Sequence, residues 1–256
     1  MNLALEIADL VYVYPDGTKA LNGFSCHALK GECVGIVGPS GAGKSTIALC
    51  MTGILLPQSG SIKIDGIELN KNNLKQIRSR IGLLFQNPDD QLFMPSLFDD
   101  VAFGLVQKKL NKDIIREKVE KALAQAGLAG MAHKFPGHLS GGQKRLASLA
   151  GVMVMEPEVL ILDEPSANLD LKARRELIDK LSQLTNTRII LGHDLEMILD
   201  LAERVILLNN GKAIAEGEPE KILGNHQLME ENNLEVPHSL MPHQDQHHRR
   251  KYKNRK

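Results

Sequence analysis

The pattern of apolar and polar residues changes along the chain. In the first thirty residues the two kinds alternate, in LALEIADLVYV and again in FSCHAL, and the turn YPDG between them helps to predict antiparallel strands. Further on, short runs rich in Val, Ile and Leu, such as ECVGIVG, IGLLFQ, VLILDE and TRIILGH, alternate with amphipathic segments. This alternation predicts a mostly parallel sheet that helices cover on both faces.

The middle of the chain has mainly helical spacing. SLFDDVAFGL, DIIREKVEKALAQAGL and GGQKRLASLAGVMVM all place apolar residues on one face of a helix. The predicted fold class is therefore α/β, a mostly parallel sheet with an antiparallel β subdomain and an inserted α-helical subdomain over about 87–157. We assign residues 1–236 to one domain, and we expect the tail 237–256, which lacks periodicity, to be disordered.

Charge and cysteine content exclude some functions. The chain has 31 Lys and Arg against 31 Asp and Glu, but the tail has six basic residues and one acidic residue. The other residues thus carry a net charge near −5 (25 basic, 30 acidic), so we expect no nucleic-acid partner. Three cysteines without C-x-x-C spacing indicate neither disulfides nor zinc. With no signal-peptide pattern and no apolar run of about 18–20 residues, a cytoplasmic protein is expected.

A phosphate-binding loop is the most specific motif. GPSGAGKST matches G-x-x-x-x-G-K-[ST] and lies between a predicted strand and a predicted helix. Its glycines allow backbone N–H groups to turn inward around phosphates, Lys44 can reach the β- and γ-phosphates, and Ser45 can offer a hydroxyl to Mg²⁺. The predicted nucleotide-binding residues of this loop are Gly38, Pro39, Ser40, Gly41, Ala42, Gly43, Lys44, Ser45 and Thr46.

Two carboxylates, Asp163 and Glu164, end the segment VLILDE. Asp163 ends the apolar residues and can hold Mg²⁺ through water, whereas Glu164 is placed to orient or deprotonate a water that attacks the γ-phosphorus. An acidic pair at a strand end could also be merely solvated. Beside a complete phosphate loop, the catalytic interpretation is favoured.

A second glycine-rich helix start, LSGGQ (139–143), resembles the signature motif of ABC-type ATPases, and about 235 of the 256 positions share the resemblance. It implies the RecA-like P-loop NTPase fold, with ATP and Mg²⁺ as cofactors. Two nucleotide domains of that family pack head to tail. Ser140, Gly141, Gly142 and Gln143 would then cap the γ-phosphate on the partner's loop, so the chain is expected to pair with a second copy or a paralogous ATPase subunit.

Four more residues resemble motifs of that family. Tyr14 in YVYPDG resembles the aromatic residue that stacks on adenine, although Tyr12 competes for this role. Gln86 in LFQNPDDQ resembles the Q-loop glutamine. Asp170 lies in ANLD (167–170), which resembles the D-loop, and His193 in LGHD resembles the switch histidine that contacts the γ-phosphate. The resemblance thus implies Glu164, His193 and Gln86 as catalytic residues and Ser45, Gln86 and Asp163 around the metal.

Two segments resemble the ATPase subunits of energy-coupling factor importers, especially those of the cobalt and nickel branch: FQNPDDQLF (85–93) and FDDVAFG (98–104). One departure is PSLFDD, which stands where a threonine-valine pair is expected. The resemblance implies a peripheral position on the cytoplasmic side of the cell membrane and a transmembrane coupling subunit at 85–104, with a substrate-binding membrane subunit reached indirectly. The expected contacts are Phe93, Phe98, Asp89, Asp90, Asp99 and Asp100.

Two alternative functions stay open at this point. The chain could serve a vitamin-importing energy-coupling factor, or it could be a soluble ABC ATPase that acts on a protein or nucleic-acid complex. The tail has its own alternatives, since its histidines could bind Ni²⁺ or Co²⁺ and its basic residues could contact anionic lipid. These histidines are His238, His243, His247 and His248.

Overall fold

The structure is a computed structural model that describes residues 2–241. Its strands are β1 (Leu3–Val13), β2 (Lys19–Leu29), β3 (Cys33–Val37), β4 (Ser59–Ile64), β5 (Ile67–Glu68), β6 (Ile81–Leu84), β7 (Val159–Asp163), β8 (Thr187–Gly192), β9 (Arg204–Asn209) and β10 (Lys212–Gly217). Its α-helices are α1 (Lys44–Met51), α2 (Leu74–Arg78), α3 (Leu97–Gln107), α4 (Lys112–Gln125), α5 (Gly141–Met153), α6 (Leu171–Ser182), α7 (Leu195–Leu201), α8 (Pro219–Leu223) and α9 (His226–Glu231).

These strands form two sheets. One has the order β2-β1-β4-β5 and is antiparallel, as the alternating residues near the N-terminus predict. The other has the order β10-β9-β3-β8-β7-β6 and is parallel except for the β9–β10 hairpin. The predicted fold class, a P-loop NTPase with an antiparallel β subdomain, is therefore confirmed.

The central strands are buried on both faces, which explains why their sequences are continuously apolar. In β7, Leu160 and Leu162 pack into a core that includes α3–α8, while Val159 and Ile161 pack into a second core. That second core lies between this sheet, helix α1 and the antiparallel sheet. Successive side chains of a strand point to opposite faces, so each strand contributes to both cores.

Helices α3, α4 and α5 occur between β6 and β7, which are adjacent parallel strands of the sheet. The predicted helical segments agree with these helices in type and position. Helix α3 begins after Ser96, whose side chain accepts a hydrogen bond from the Asp99 N–H, an N-cap that the sequence SLFDD favours. The subdomain limits 87–157 stay a prediction.

The C-terminal boundary needs a correction. Residues 237–241, which we expected to belong to a disordered tail, include a 3₁₀ turn at His238–Leu240. The Ser239 N–H and hydroxyl donate to the Glu196 carboxylate at 3.1 and 2.6 Å, and the partly buried side chains of Leu240 and Met241 pack against the core. The ordered chain thus extends beyond residue 236, while the tail from 242 on, with three of its histidines, lies outside the described residues.

Three short helices, α2, α8 and α9, have no counterpart in the sequence prediction. They span five or six residues each, too few for a helical period to stand out. Among residues 2–241, no helix has the length and apolar character needed to cross a membrane.

The parallel sheet also decides where the site forms. Val37 pairs with Gly192 and Asp163 with Leu191, so β3, β7 and β8 end side by side at one edge. Parallel strands present their carboxyl ends together, and ligands of open α/β sheets bind outside these ends. The phosphate loop, the Asp163–Glu164 pair and His193, which come at the ends of these three strands, therefore meet at this edge.

Candidate active site

The phosphate loop connects the end of β3 to the start of α1. Gly43 is the N-cap of α1 with φ 109°, and a Cβ there would lie 2.5 Å from the Ala20 carbonyl oxygen. A Cβ on Gly38 would lie 2.2 Å from the carbonyl oxygen of Leu208. Only glycine therefore fits these two positions, and the first N–H groups of the helix are left to receive an anion.

Lys44 lies over this loop. Its Nζ donates to the carbonyl oxygens of Gly38 at 2.7 Å and Pro39 at 3.1 Å, and the side chain is buried. Burial lowers the pKa of Lys44, although the nearby Glu164 and Asp163 carboxylates oppose this shift. The ammonium is thus held where incoming phosphates can replace two neutral carbonyls as its partners.

The residues predicted to surround Mg²⁺ fit that ion. The Ser45 hydroxyl donates to Asp163 Oδ1 at 3.2 Å, which brings together two oxygen donors of the kind that Mg²⁺ prefers. Burial raises the pKa of Asp163, and Glu164 adds to the rise while Ser45 and Lys44 oppose it. A divalent cation would offset this concentration of negative charge, so the donor set suits the metal.

Glu164 and His193 are brought into direct contact. The Glu164 carboxylate is 2.6 Å from His193 Nδ1 and also accepts the His193 backbone N–H at 3.2 Å. Glu164 has φ 48°, a left-handed conformation that is costly for a residue with a side chain, and its N–H donates to the Leu191 carbonyl at 2.8 Å. Backbone strain of this kind concentrates at functional sites, which supports a chemical role for this carboxylate.

The second glycine-rich helix start is well capped. Ser140 Oγ accepts the Gln143 N–H at 3.3 Å, and Gln143 Oε1 accepts the Ser140 N–H at 3.0 Å, which is a capping box. In such a box the N–H groups of the intervening residues, Gly141 and Gly142, have no partner within the helix. Ser140 and Gly141 are exposed, so the N-terminal start of α5 offers N–H donors to a group outside the chain.

The profile of the ABC transporter family matches residues 21–167, more than half of the chain. The energy-coupling factor transporter ATP-binding protein EcfA of Methanothermobacter thermautotrophicus is 43% identical over 238 residues, which cover 91% of this chain and 76% of that protein. This chain belongs to the ABC transporter family of ATPases. EcfA of Carboxydothermus hydrogenoformans is 44% identical over 240 residues, which cover 93% of this chain and 88% of that protein.

Two solved structures agree with this assignment. The cbiO1 protein of Clostridium perfringens, described as part of the ABC transporter complex cbiONQ, superposes with a TM-score of 0.81 and 37% identity over 94% of this chain and 98% of its own. The cassette MJ0796, solved as a dimer in a post-hydrolysis state with ADP and Pi, superposes with a TM-score of 0.76 and 27% identity. Those alignments cover 84% of this chain and 98% of MJ0796. The chain is an ATP-hydrolysing enzyme of this family.

In this ABC ATPase the two candidate tyrosines differ. Tyr12 is 8% exposed and packs into the core, and burial raises its pKa. Tyr14 is more exposed, and its hydroxyl lies 3.0 Å from Thr46 Oγ1, two residues after Lys44. The structure therefore places the Tyr14 hydroxyl beside the phosphate loop, while the stacking of adenine on Tyr14 stays a prediction.

Asp170 and Gln86 have different surroundings. The Asp170 side chain is the N-cap of α6 and accepts the Ala173 N–H at 2.8 Å, a contact within the chain. Gln86 follows β6 with an exposed side chain, and its backbone carbonyl accepts a hydrogen bond from Arg145. Their roles toward nucleotide remain predictions.

Most of the acidic residues expected to meet a membrane subunit are used inside the cassette. Asp89 Oδ1 accepts from Lys144 at 2.6 Å, Asp99 accepts from the Ser96 hydroxyl, and Asp100 Oδ1 accepts the Phe93 and Met94 N–H groups at 2.9 and 3.0 Å. These bonds fix the loop between β6 and α3. Three of the four acids thus have partners within the chain, and their pairing with basic side chains of a membrane subunit stays a prediction.

The apolar part of that surface is accessible. Phe93 is 63% exposed and contacts Phe103 edge to face, with ring centroids 5.3 Å apart. Beside them a groove of about 610 Å³ lies between α3 and α4, and Phe98, Val106 and Ile115 are among its lining residues. An exposed apolar surface of this kind is typical of a protein-binding site.

Sequence reasoning missed an ion pair of the residue that follows His193. Arg174 of α6 donates to both oxygens of Asp194, at 2.6 and 2.7 Å, and Asp194 also caps α7 by accepting the Met197 N–H. An Asp directly before a helix does signal an N-cap, but the partner on α6 is twenty residues away in sequence and carries no local signal. The pair joins helix α6, which Asp170 caps, to the residue next to His193.

We predict that Asp194→Asn lowers the free energy of unfolding by about 2 kcal/mol at pH 7, because a charge-assisted bidentate pair is lost. Burial alone would raise the pKa of Asp194, but the hydrogen bonds from Arg174 and Met197 bring it below its ordinary value. A lowered folded-state pKa stabilises the fold above the unfolded value and loses this effect as the pH falls through the folded value. Urea titrations should therefore show the difference between wild type and variant shrinking below about pH 4.

Glu218→Gln provides the control, because its partner Lys221 and the carboxylate itself are both largely exposed. Exposed pairs contribute about 0–1 kcal/mol, so this variant should unfold close to wild type. Equal destabilisation by Asp194→Asn at pH 7 and pH 3.5 would contradict the ion-pair explanation.

Proposed function

We propose that two copies of this chain, or one copy and a paralogous ATPase subunit, share two ATP sites head to tail. Each chain holds one complete phosphate loop and one capped signature helix, and these contact different parts of the fold. Helix α1 packs on β2, β7 and β8, whereas α5 packs on α3, α4, β6 and α6. The dimeric structures of MJ0796 support this arrangement.

In the proposed site the phosphates of ATP lie in the loop of one subunit, with Lys44 as their cation. Ser140 and the N–H groups of Gly141 and Gly142 from the partner would cap the γ-phosphate. Mg²⁺, held by Ser45 and Asp163 with Gln86 nearby, would neutralise phosphate charge during transfer. The pair thus closes on ATP and loses its bridge when the γ-phosphate leaves.

Glu164 is proposed to accept a proton from the attacking water. The water oxygen forms a bond to the γ-phosphorus as the bond to the ADP oxygen breaks, and Glu164 takes the proton. The 2.6 Å contact with His193 Nδ1 holds this carboxylate in place, and His193 would contact the γ-phosphate with its exposed ring. Hydrolysis then requires both residues in one conformation.

We further propose that the chain drives a membrane importer of the energy-coupling factor type, with cobalt or nickel as cargo, from the cytoplasmic side of the cell membrane. The observation that carries this proposal is the likeness to cbiO1 at 37% identity over 94% of the chain. The EcfA relatives and the apolar groove between α3 and α4 support it. The transmembrane partner would dock on 85–104 through its apolar residues.

The test is uptake of radiolabelled Co²⁺ and Ni²⁺ by cells that lack this protein and carry either the native chain or Glu164→Gln. We expect the native chain alone to restore uptake of one metal. If neither metal enters while the purified complex hydrolyses ATP, the cargo is not cobalt or nickel, and vitamins are tested next. Failure to copurify with any membrane protein would favour a soluble ABC ATPase.

A further inference from the structure

Arg145 is a buried cation that the proposed mechanism does not use. It lies on α5, five residues after Ser140, and its side chain is 1% exposed. Among the described residues no carboxylate pairs with it, and its Nε has no hydrogen-bond partner. Burial lowers the pKa of Arg145 to about 10. Burying an unpaired guanidinium is costly, and an apolar side chain would fill this space at lower cost.

Within residues 2–241 the guanidinium makes two hydrogen bonds, and both go to the start of the loop 85–91 that contains Gln86, here called the Q-loop. One terminal nitrogen donates to the Phe85 carbonyl at 2.5 Å, and the other donates to the Gln86 carbonyl. A planar guanidinium that holds two consecutive carbonyls fixes the backbone at both residues. The position from which the Gln86 side chain extends is thereby set by helix α5.

Two further contacts join the same helix to the same loop. Gln91 accepts the Phe85 N–H at 3.3 Å and donates to the Ser148 carbonyl at 3.1 Å, while Lys144 donates to Asp89. Helix α5 therefore holds this loop at three points, through Arg145, Ser148 and Lys144. Of these, only Arg145 contacts Gln86 itself.

We propose that Arg145 is a positioning residue for Gln86. In the proposed dimer, the first turn of α5 caps the ATP bound to the partner's loop. The same helix sets Gln86, which serves the ATP bound to its own subunit. This inference rests on the proposed catalytic role of Gln86. Arg145 touches neither nucleotide nor metal in this scheme, and it acts only by holding the Gln86 backbone. A link of this kind makes the two shared sites respond together.

The experiment compares Arg145→Met with Arg188→Met in the purified full chain. Arg188 is the matched control, because it is also a buried arginine whose Nε has no partner among the described residues. It donates to the Leu181 carbonyl at 2.6 Å and lies at the opposite end of β8 from the site. Both variants should lower the melting temperature to a similar extent. Only Arg145→Met should reduce kcat, by about tenfold, with the Kd for ATP unchanged within twofold.

A double variant shows whether Arg145 acts through Gln86. We expect Gln86→Ala and Arg145→Met together to have the same kcat as Gln86→Ala alone, since the positioning residue has nothing left to position. Additive losses, or a wild-type kcat for Arg145→Met, would overturn the inference. The proposed function survives that result as long as the native chain hydrolyses ATP.

If Arg145→Met fails to fold, Gln91→Leu tests the same link, because it removes the second tie between the Q-loop and α5. Its kcat should fall about threefold, and this loss should also vanish in the Gln86→Ala background. A loss that persists in that background would contradict the proposed link.

Discussion

Glu164→Gln should abolish ATP turnover and leave ATP binding intact. The amide keeps the size of the side chain but has no lone pair basic enough to take a proton from water, and a positioned general base contributes about 10²–10⁴-fold to the rate. Because the γ-phosphate then stays in place, the variant should accumulate as a closed dimer with ATP. Phosphate release measures the first effect, and size-exclusion chromatography with and without ATP and Mg²⁺ measures the second.

Glu117→Gln is the matched control for that variant, since it makes the same change on the exposed surface of α4. It should hydrolyse ATP at the wild-type rate and dimerise only transiently. Turnover by Glu164→Gln within a few fold of wild type would show that another group accepts the proton. An absence of ATP binding would instead indicate that the variant disturbs the contact with His193.

Ser140→Arg should stop hydrolysis while the isolated subunit still binds ATP. The arginine would occupy the space that the partner's γ-phosphate needs at the exposed start of α5 and would prevent closure of the dimer. Loss of one group that stabilises transferring charge costs about 10²–10³-fold, so kcat should fall at least that far. Fluorescent ATP analogues report the binding, and phosphate release reports kcat.

Two variants isolate the cause of that loss. Ser140→Ala removes the N-cap and the hydroxyl proposed to contact the γ-phosphate, but it introduces no cation. It should destabilise the fold by about 1 kcal/mol, with a smaller loss of kcat than the arginine variant. Ser182→Arg introduces the same cation on an exposed residue of α6 and should leave kcat unchanged. If Ser140→Arg abolishes ATP binding by the monomer as well, the shared-site arrangement is contradicted.

The sequence alone determined the elements that a run of neighbouring residues identifies, either by a long apolar pattern or by a motif of specific residues. The continuous apolar runs at β3, β7 and β8 identified the parallel sheet, because a strand buried on both faces needs no polar side. The loop around Lys44 was evident since glycines, lysine and hydroxyl act together within nine residues. Asp163 and Glu164 followed from their place after a buried strand, and SLFDD and HLSGGQ carry N-cap signals for α3 and α5.

Tertiary structure decided what depends on residues far apart in the chain. The Glu164–His193 contact requires β7 and β8 to lie side by side, and the bonds of Arg145 to the Q-loop span about sixty residues of sequence. It also showed that Asp89 and Asp99 are used within the chain, that Tyr12 is buried, and that residues up to 241 pack on the core. Local patterns report propensity and periodicity, whereas an ion pair or a buried hydrogen bond depends on which distant side chain packing brings within 3 Å.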